Sequence, residues 1–429
     1  MWRLFERTVI FTLILLASGA GVGAYFGSQN TTDVPTAGGG GLPIQLTMGV
    51  LYVCFFALLL RKRKSAVSLI VSERWMVALW LLAMASVLWS VDGGETLRKS
   101  VALLGTTVAG LYIGMRYEPR QQIKLVATCT AIGALASLVV CLLVPGIGVM
   151  PDHTWQGVYY PKNALARMMV LGVLSCGWLA IRQRHRRILY SGIVVLCLFL
   201  LWMAGSATGI VVSAALLALL PFRRAFSWPR RRLVALIVVA ALVVVPVGTW
   251  ALHHIEVVTD YLSRTPSLTG RLPLWHMVKL EISTRPYLGF GYGAYWTSPD
   301  ADRVRRIVEW EAPNAHNGFL EMELGLGSVG LLIFLAGILR NLIVGIRVAG
   351  ATGDMDDAWP VFFLVFAMLY NLTETTLIVS NSIFTILYIA NSYWLVRTSL
   401  QPFTEEENDT EPASAMALET PIGFKPAES

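Results

Sequence analysis

Apolar runs of about 20 residues, separated by short polar or basic stretches, recur along most of this chain. A run of that length lets an α-helix cross a hydrocarbon core of roughly 30 Å. The pattern predicts twelve helices, near 8–26, 43–60, 75–91, 97–115, 125–145, 164–181, 188–204, 207–221, 233–251, 324–346, 358–377 and 382–397. The break at Gly205-Ser206-Ala207 is so short that its two flanking helices must form a tight hairpin. One interruption is much longer than the others, the stretch 252–317. Within it, Leu272 to Ile282 reads as an amphipathic helix, with Trp275, Val278 and Ile282 at helical spacing and His276, Lys279 and Glu281 away from that face. Pro286 and the glycines after it end that helix. A second short helix is expected over 301–310, carrying Arg303, Arg305 and Arg306.

Composition sets the class. The chain is 55% hydrophobic and 14% charged, with mean hydropathy +0.61, whereas a soluble domain carries about 25% charged residues. The expectation is therefore an all-α integral membrane protein with about twelve transmembrane helices. It would have one polytopic domain over 1–397 and an acidic, Pro-containing tail over 398–429, too polar to bury a core and so disordered. Lys and Arg cluster at Arg61-Lys62-Arg63-Lys64, at Arg116, Arg120 and Lys124, from Arg182 to Arg187, and from Arg223 to Arg232. All of these fall on one side of a twelve-helix count, and the positive-inside bias makes that side cytoplasmic. Both termini then face the cytoplasm and the 252–317 loop faces outward. The first segment also reads as a signal peptide, being basic over Met1 to Arg7 with Ala17-Ser18-Gly19-Ala20 as a cleavage region; its removal leaves the orientation of the rest unchanged. The net charge of +7 reflects the cytoplasmic clusters and gives no indication of nucleic acid as a partner. Cys54, Cys129, Cys141, Cys176 and Cys197 lie inside apolar segments without metal-ligand spacing, as small apolar filler.

Candidate chemistry gathers on the outward side. Arg98, Lys99, Lys162, Arg167, Arg264 and Arg271 are cations near the outer membrane boundary, where the charge bias works against Lys and Arg in short loops. Two readings stand side by side. These residues snorkel to outer-leaflet phosphates, or several converge on a diphosphate and stabilise a leaving group. His316, in Asn314-Ala315-His316-Asn317, stands just before the helix near 324. It is either part of a helix cap with Asn317 or a general base, since imidazole titrates near neutral pH. His253-His254-x-Glu256 lacks the spacing that puts two metal ligands on one helical face, so no metal site is expected. Gly289-x-Gly291-x-Gly293 has no strand or βαβ frame around it and serves tight turns near the bilayer. Tyr295, Trp296 and Trp310 suit sugar stacking, and equally the membrane interface.

Taken in order, these features resemble the O-antigen ligase and polymerase superfamily of bacterial envelope glycosyltransferases. The resemblance runs over about 70–400. It passes through Trp89-Ser90 with Arg98, Lys162-Asn163, Ser263-x-x-x-x-Leu268-Thr269-Gly270-Arg271-x-x-x-Trp275 and Pro286-x-x-Gly289-x-Gly291, and closes with Ala315-His316-Asn317-Gly318-Phe319-Leu320 and Leu324-Gly325-x-Gly327-x-x-Gly330. Ala166 stands where relatives often have glycine. The resemblance implies a GT-C-like, metal-independent fold in the bacterial inner membrane, without cofactors. The implied donor is a polyprenyl-diphosphate-linked glycan; the acceptor is a hydroxyl on another glycan or on lipid A core. It further implies that Arg271, helped by Arg98, Lys162, Arg167 and Arg264, binds the diphosphate, and that His316 activates the acceptor. The Trp310-Glu311-x-x-Asn314-Ala315-His316-Asn317 context is closer to exopolysaccharide-type polymerases than to ligases. Two other classes compete. A lipid flippase or secondary transporter would place ionisable groups at mid-membrane, whereas the segment interiors here are mostly uncharged, with Arg340 the main exception. A non-enzymatic assembly scaffold would tolerate loss of the cations and His316.

Overall fold

The structure, a computed structural model, describes residues 2–21, 42–228, 271–309 and 311–400. Among these residues it is helical, and the one isolated bridge joins Val149 to Trp155. The α-helices of ten residues or more are α1 (Trp2–Ala17), α2 (Leu42–Leu60), α3 (Arg63–Ser72), α4 (Arg74–Ala85), α5 (Gly93–Arg116), α6 (Pro119–Leu143), α7 (Lys162–Arg182), α8 (Arg187–Met203), α9 (Ala207–Leu219), α10 (Arg271–Thr284), α11 (Pro299–Val308), α12 (Gly318–Thr352), α13 (Trp359–Asn371) and α14 (Ile383–Leu400). Each apolar run predicted among these residues overlaps a helix; the run over 233–251 lies outside the described residues.

Length and apolarity qualify five of these helical stretches to cross a membrane, namely Pro43–Leu60, Pro119–Leu143, Lys162–Arg182, Arg184–Met203 and Gly318–Thr352. A sixth qualifies if the pair Arg63–Ser72 and Arg74–Leu88, bent by 85°, counts as one broken span. The chain is thus an all-α integral membrane protein. The basic run at 61–64 is not simply a loop, because Arg63 and Lys64 open α3. The run predicted over 358–377 is also shorter as a helix: α13 stops at Asn371, and 372–382 is irregular backbone.

Local sequence explains where helices start. Asp92 caps α5 by accepting from the Glu95 N–H at 3.0 Å, and Ser206 caps α9 by accepting from the Gly209 N–H at 3.1 Å. Glu118 and Gln121 form a reciprocal capping box ahead of α6, with Pro119 at its first position. Asn317 caps α12 through the Phe319 and Leu320 N–H groups, at 3.0 and 3.2 Å. Inside α12 the helix is broken at Gly327, whose φ of 65° and ψ of −171° seat its backbone against Tyr287 and Leu288.

The helix ends separate into two polar layers. At one, Arg116 meets Glu6, Arg182 meets Asp356, and Arg397 meets Glu118, at 3.3, 3.5 and 2.5 Å. The other layer holds the starts of α5, α7, α10, α12 and α14 and the end of α13, and carries the site. Between the layers lies the main apolar core, built on α7, α13 and α14. A second core of Leu274, Val278, Phe290, Tyr295, Ala301, Val304 and Leu324 ties α10 and α11 to the start of α12. This makes the described part of the long loop a packed cap. α10 buries Leu274, Val278 and Ile282 as a stripe, but Glu281 is buried as well. The predicted polar face thus holds a carboxylate that α11 partners, through Arg303.

Candidate functional site

Asn163, Arg271 and His316 meet on one carboxylate, that of Glu374. Glu374 follows α13 in the irregular stretch and is buried. Its Oε1 accepts from the Arg271 guanidinium and, at 2.9 Å, from the Asn163 amide. Its Oε2 lies 3.1 Å from His316 Nδ1. Burial by itself pushes this carboxyl up, but His316, Arg271 and Arg167 outweigh burial and hold it at about 2. Glu374 is therefore ionised, and its charge is shared among its three partners.

The chain around His316 is built to aim it. Its φ is +45°, a left-handed value uncommon for a residue with a side chain. The Asn314 side chain holds that turn, accepting from the His316 N–H at 2.8 Å and from Thr375 Oγ1 at 3.2 Å. Glu321 accepts from the Ala315 N–H at 2.8 Å and from Trp296 Nε1 at 3.0 Å. Trp275 Nε1 donates to the Ala315 carbonyl at 2.9 Å. The cap role belongs to Asn317, whose amide also donates to the Leu372 carbonyl at 3.0 Å. His316 is left to face the interior.

A cavity of about 150 Å³ opens beside His316, with Arg167, Lys99, Tyr160, Trp296 and Glu321 among its lining residues. Arg167 donates to the Thr375 carbonyl at 3.0 Å, and Lys99 donates to the Gly293 carbonyl at 2.8 Å. A smaller cavity, about 20 Å³, lies on the other side of Glu374 against Arg271, Lys162, Ser206 and Tyr370. Glu374 and Asn163 line both. Glu374 is thus the common partner of three polar groups, Asn163 at the start of α7, Arg271 on α10 and His316 in the turn before α12, and it lies in the wall of both cavities.

The candidate residues separate accordingly. His316, Arg271 and Arg167 lie in this array, and Lys162 stands at its edge, paired with Asp152 at 2.8 Å. Arg98 is half exposed, forks onto Glu95 at 2.6 and 2.8 Å, and lines neither of these two cavities. Its neighbour Lys99 turns inward instead. Arg264 lies outside the described residues. Glu374 was missed because the apolar run over 358–377 absorbed it. Its signal was available all the same, since an acid inside a predicted span marks a functional position by default. Among the described residues no group of three His, Cys, Asp or Glu side chains is arranged to hold a metal.

With this geometry in place, comparison with known proteins adds an independent finding. Residues 192–335, which include both Arg271 and His316, match the family model described as O-antigen ligase. The resemblance to that superfamily holds. The chain is 25% identical over 314 residues to Exopolysaccharide production protein ExoQ of Rhizobium meliloti (strain 1021), covering 70% of this chain and 71% of that protein. It also matches proteins provisionally named polysaccharide ligases in Rickettsia. The R. conorii protein is 27% identical over 169 residues, 38% of this chain and 39% of the relative. The R. prowazekii protein is 30% identical over 128 residues, 28% of this chain and 32% of the relative. The chain thus spans about two fifths or less of these ligase relatives. The apolar helices and these matches together describe a bacterial membrane protein.

Proposed function

We propose that this protein is a membrane glycosyltransferase that moves a glycan from a polyprenyl-diphosphate carrier to a hydroxyl acceptor, as an exopolysaccharide or O-antigen repeat-unit polymerase. The observation that carries the reading is the Arg271–Glu374–His316 array beside a cavity with Arg167 in its wall. Glu374 takes the Nδ1–H of His316, which leaves Nε2 as the basic nitrogen, the arrangement by which a carboxylate orients a histidine base. The acceptor oxygen gives its proton to Nε2 and bonds to the anomeric carbon. The bond from that carbon to the carrier's phosphate oxygen breaks, and its electron pair leaves on the polyprenyl diphosphate. Arg271, Arg167 and Lys162 stabilise the charge gathered there. A single displacement of this kind inverts the anomeric configuration.

In this reading the chain crosses the bacterial inner membrane twelve times as a GT-C-like, metal-independent fold. Both termini are cytoplasmic, 1–397 is the membrane domain, and the site lies on the periplasmic side. Similarity to a protein named for exopolysaccharide production suits the polymerase reading; the rickettsial names suit a ligase, and the second reading is ligation with lipid A core as acceptor. Transfer from undecaprenyl-diphosphate-linked repeat units, in detergent with a chelator present, decides among them. Polymer on a lipid-linked repeat acceptor supports the polymerase, and capped lipid A core supports the ligase. Arg271→Ala and His316→Ala should each lower the rate at least about a hundredfold while still inserting. Near-wild-type transfer by either variant, or translocation of the carrier without transfer, sinks the enzyme reading.

A further inference from the structure

The two oxygens of Glu374 are not equivalent. Oε2 faces His316, while Oε1 is shared by a cation, Arg271, and a neutral donor, Asn163. Arg271 also lines the small cavity together with Lys162. Arg271 reaches Oε1 through Nη2, and a diphosphate drawn to the same guanidinium competes with the carboxylate for its charge. Once Arg271 turns away, the Glu374 charge is no longer shared with a guanidinium. More of it then acts on His316.

A carboxylate that loses one of its partners in a buried site would ordinarily turn toward whichever donor remains. Asn163 decides which way. It sits in the first turn of α7, and Pro161 and Tyr160 before it line the same cavity. Its amide holds Oε1 while His316 faces Oε2, so the carboxylate keeps Oε2 on Nδ1. We propose that Asn163 is a positioning residue that pins Glu374 to His316 when Arg271 moves to the donor's diphosphate, so that donor binding switches on the base. The coupling rests on the glycosyltransferase reading for its consequence, but not for its physics. In the resting enzyme Arg271 draws on the Glu374 charge; with donor bound, more of that charge faces His316. Acceptor activation without a donor in place is thereby suppressed.

Among the described residues, charged groups around His316 include Glu374 from the stretch after α13, Arg271 on α10, Arg167 on α7, Glu321 on α12 and Lys99 on α5, and any diphosphate adds its own charge. The test must separate the ligand's direct field from the Glu374 relay. Full-length protein carrying [13Cε1]-histidine is titrated by NMR with and without farnesyl diphosphate, and His316→Ala assigns the His316 signal among the six histidines. The expected result is an upward move of the His316 midpoint by about one pH unit when the probe binds wild type. Asn163→Ala should bind the probe comparably yet lose most of that move. Asn163→Ser, which keeps a donor, should recover part of it and also guards against a folding defect in the alanine variant. Transfer kinetics, where measured, should show kcat for Asn163→Ala falling roughly tenfold or more with little change in donor KM. A wild-type midpoint unmoved by bound probe, or a move of the same size in Asn163→Ala, overturns the coupling while leaving the glycosyltransferase reading intact. Failure of the probe to bind at all removes the phosphate role of Arg271 and both readings with it.

Discussion

Replacing Glu374 with alanine is the most searching perturbation of this site. The side chain is buried, and Arg271, Asn163 and His316 all converge on it. Its removal strands the Arg271 guanidinium, itself only 5% exposed, with no carboxylate. Breaking a buried ion pair from one side costs about 3–5 kcal/mol, because the surviving charge stays desolvated. The carboxyl's displacement from its ordinary 4.5 to about 2 leads to a similar figure, about 3 kcal/mol in favour of the folded, ionised form at neutral pH. The sign follows from the direction. A depressed carboxylate stabilises the fold above its unfolded value near 4.5, and that contribution drains away as pH falls toward 2. Thermal melting in detergent should therefore show wild type constant down to about pH 4.5 and falling below it. Glu374→Gln should show a smaller acid-side fall, the remainder coming from other depressed carboxylates such as Asp152 and Glu95, and Glu374→Ala should melt several degrees lower at pH 7. Transfer should fall at least about a hundredfold in both variants, since neither can balance the imidazolium. If Glu374→Ala melts like wild type and transfers at a similar rate, the carboxylate is not the hub of the site and the electrostatic argument fails.

Two further substitutions probe positions where the structure and simple sequence reading part. Arg98→Ala should change stability by less than about 1 kcal/mol and transfer by only a fewfold, because its exposed fork onto Glu95 lies outside both cavities; a loss as large as that of Arg271→Ala in the same transfer assay would return Arg98 to the site. Gly291→Ala should destabilise by about 2 kcal/mol or more, since φ is +99° and a new Cβ would stand 2.3 Å from Ser90 Oγ. A melting temperature matching wild type would show that the close approach of this loop to Ser90 is not needed.

Much of the architecture could be read along the chain because it follows from local periodicity. Apolar runs near 20 residues located the helices, Asp92, Ser206 and Asn317 supplied the capping chemistry, and the amphipathic stretch after Arg271 became α10. The candidate site was legible in its cations and its histidine, since Arg167, Arg271 and His316 stand where charge and imidazole are unusual. What stayed hidden was pairing. Glu281 sits off the predicted apolar stripe and is buried anyway, because Arg303 arrives from α11 to meet it. Arg98 and Lys99 are adjacent and chemically similar, yet successive helix positions point about 100° apart, and the packing of α5 against the Gly293 turn selects Lys99.

A helical membrane protein with one long interruption and a handful of cations beside its apolar runs was legible in the residue order, because hydrophobic period and charge are properties of neighbours along the chain. That Asn163, Arg271, His316 and Glu374 form one electrostatic unit emerges from the packing of distant segments alone. These residues are separated by up to 211 positions. Their meeting depends on where α13 stops and how the cap over α12 folds, and no local pattern encodes a contact between a buried carboxylate and the donors that neutralise it.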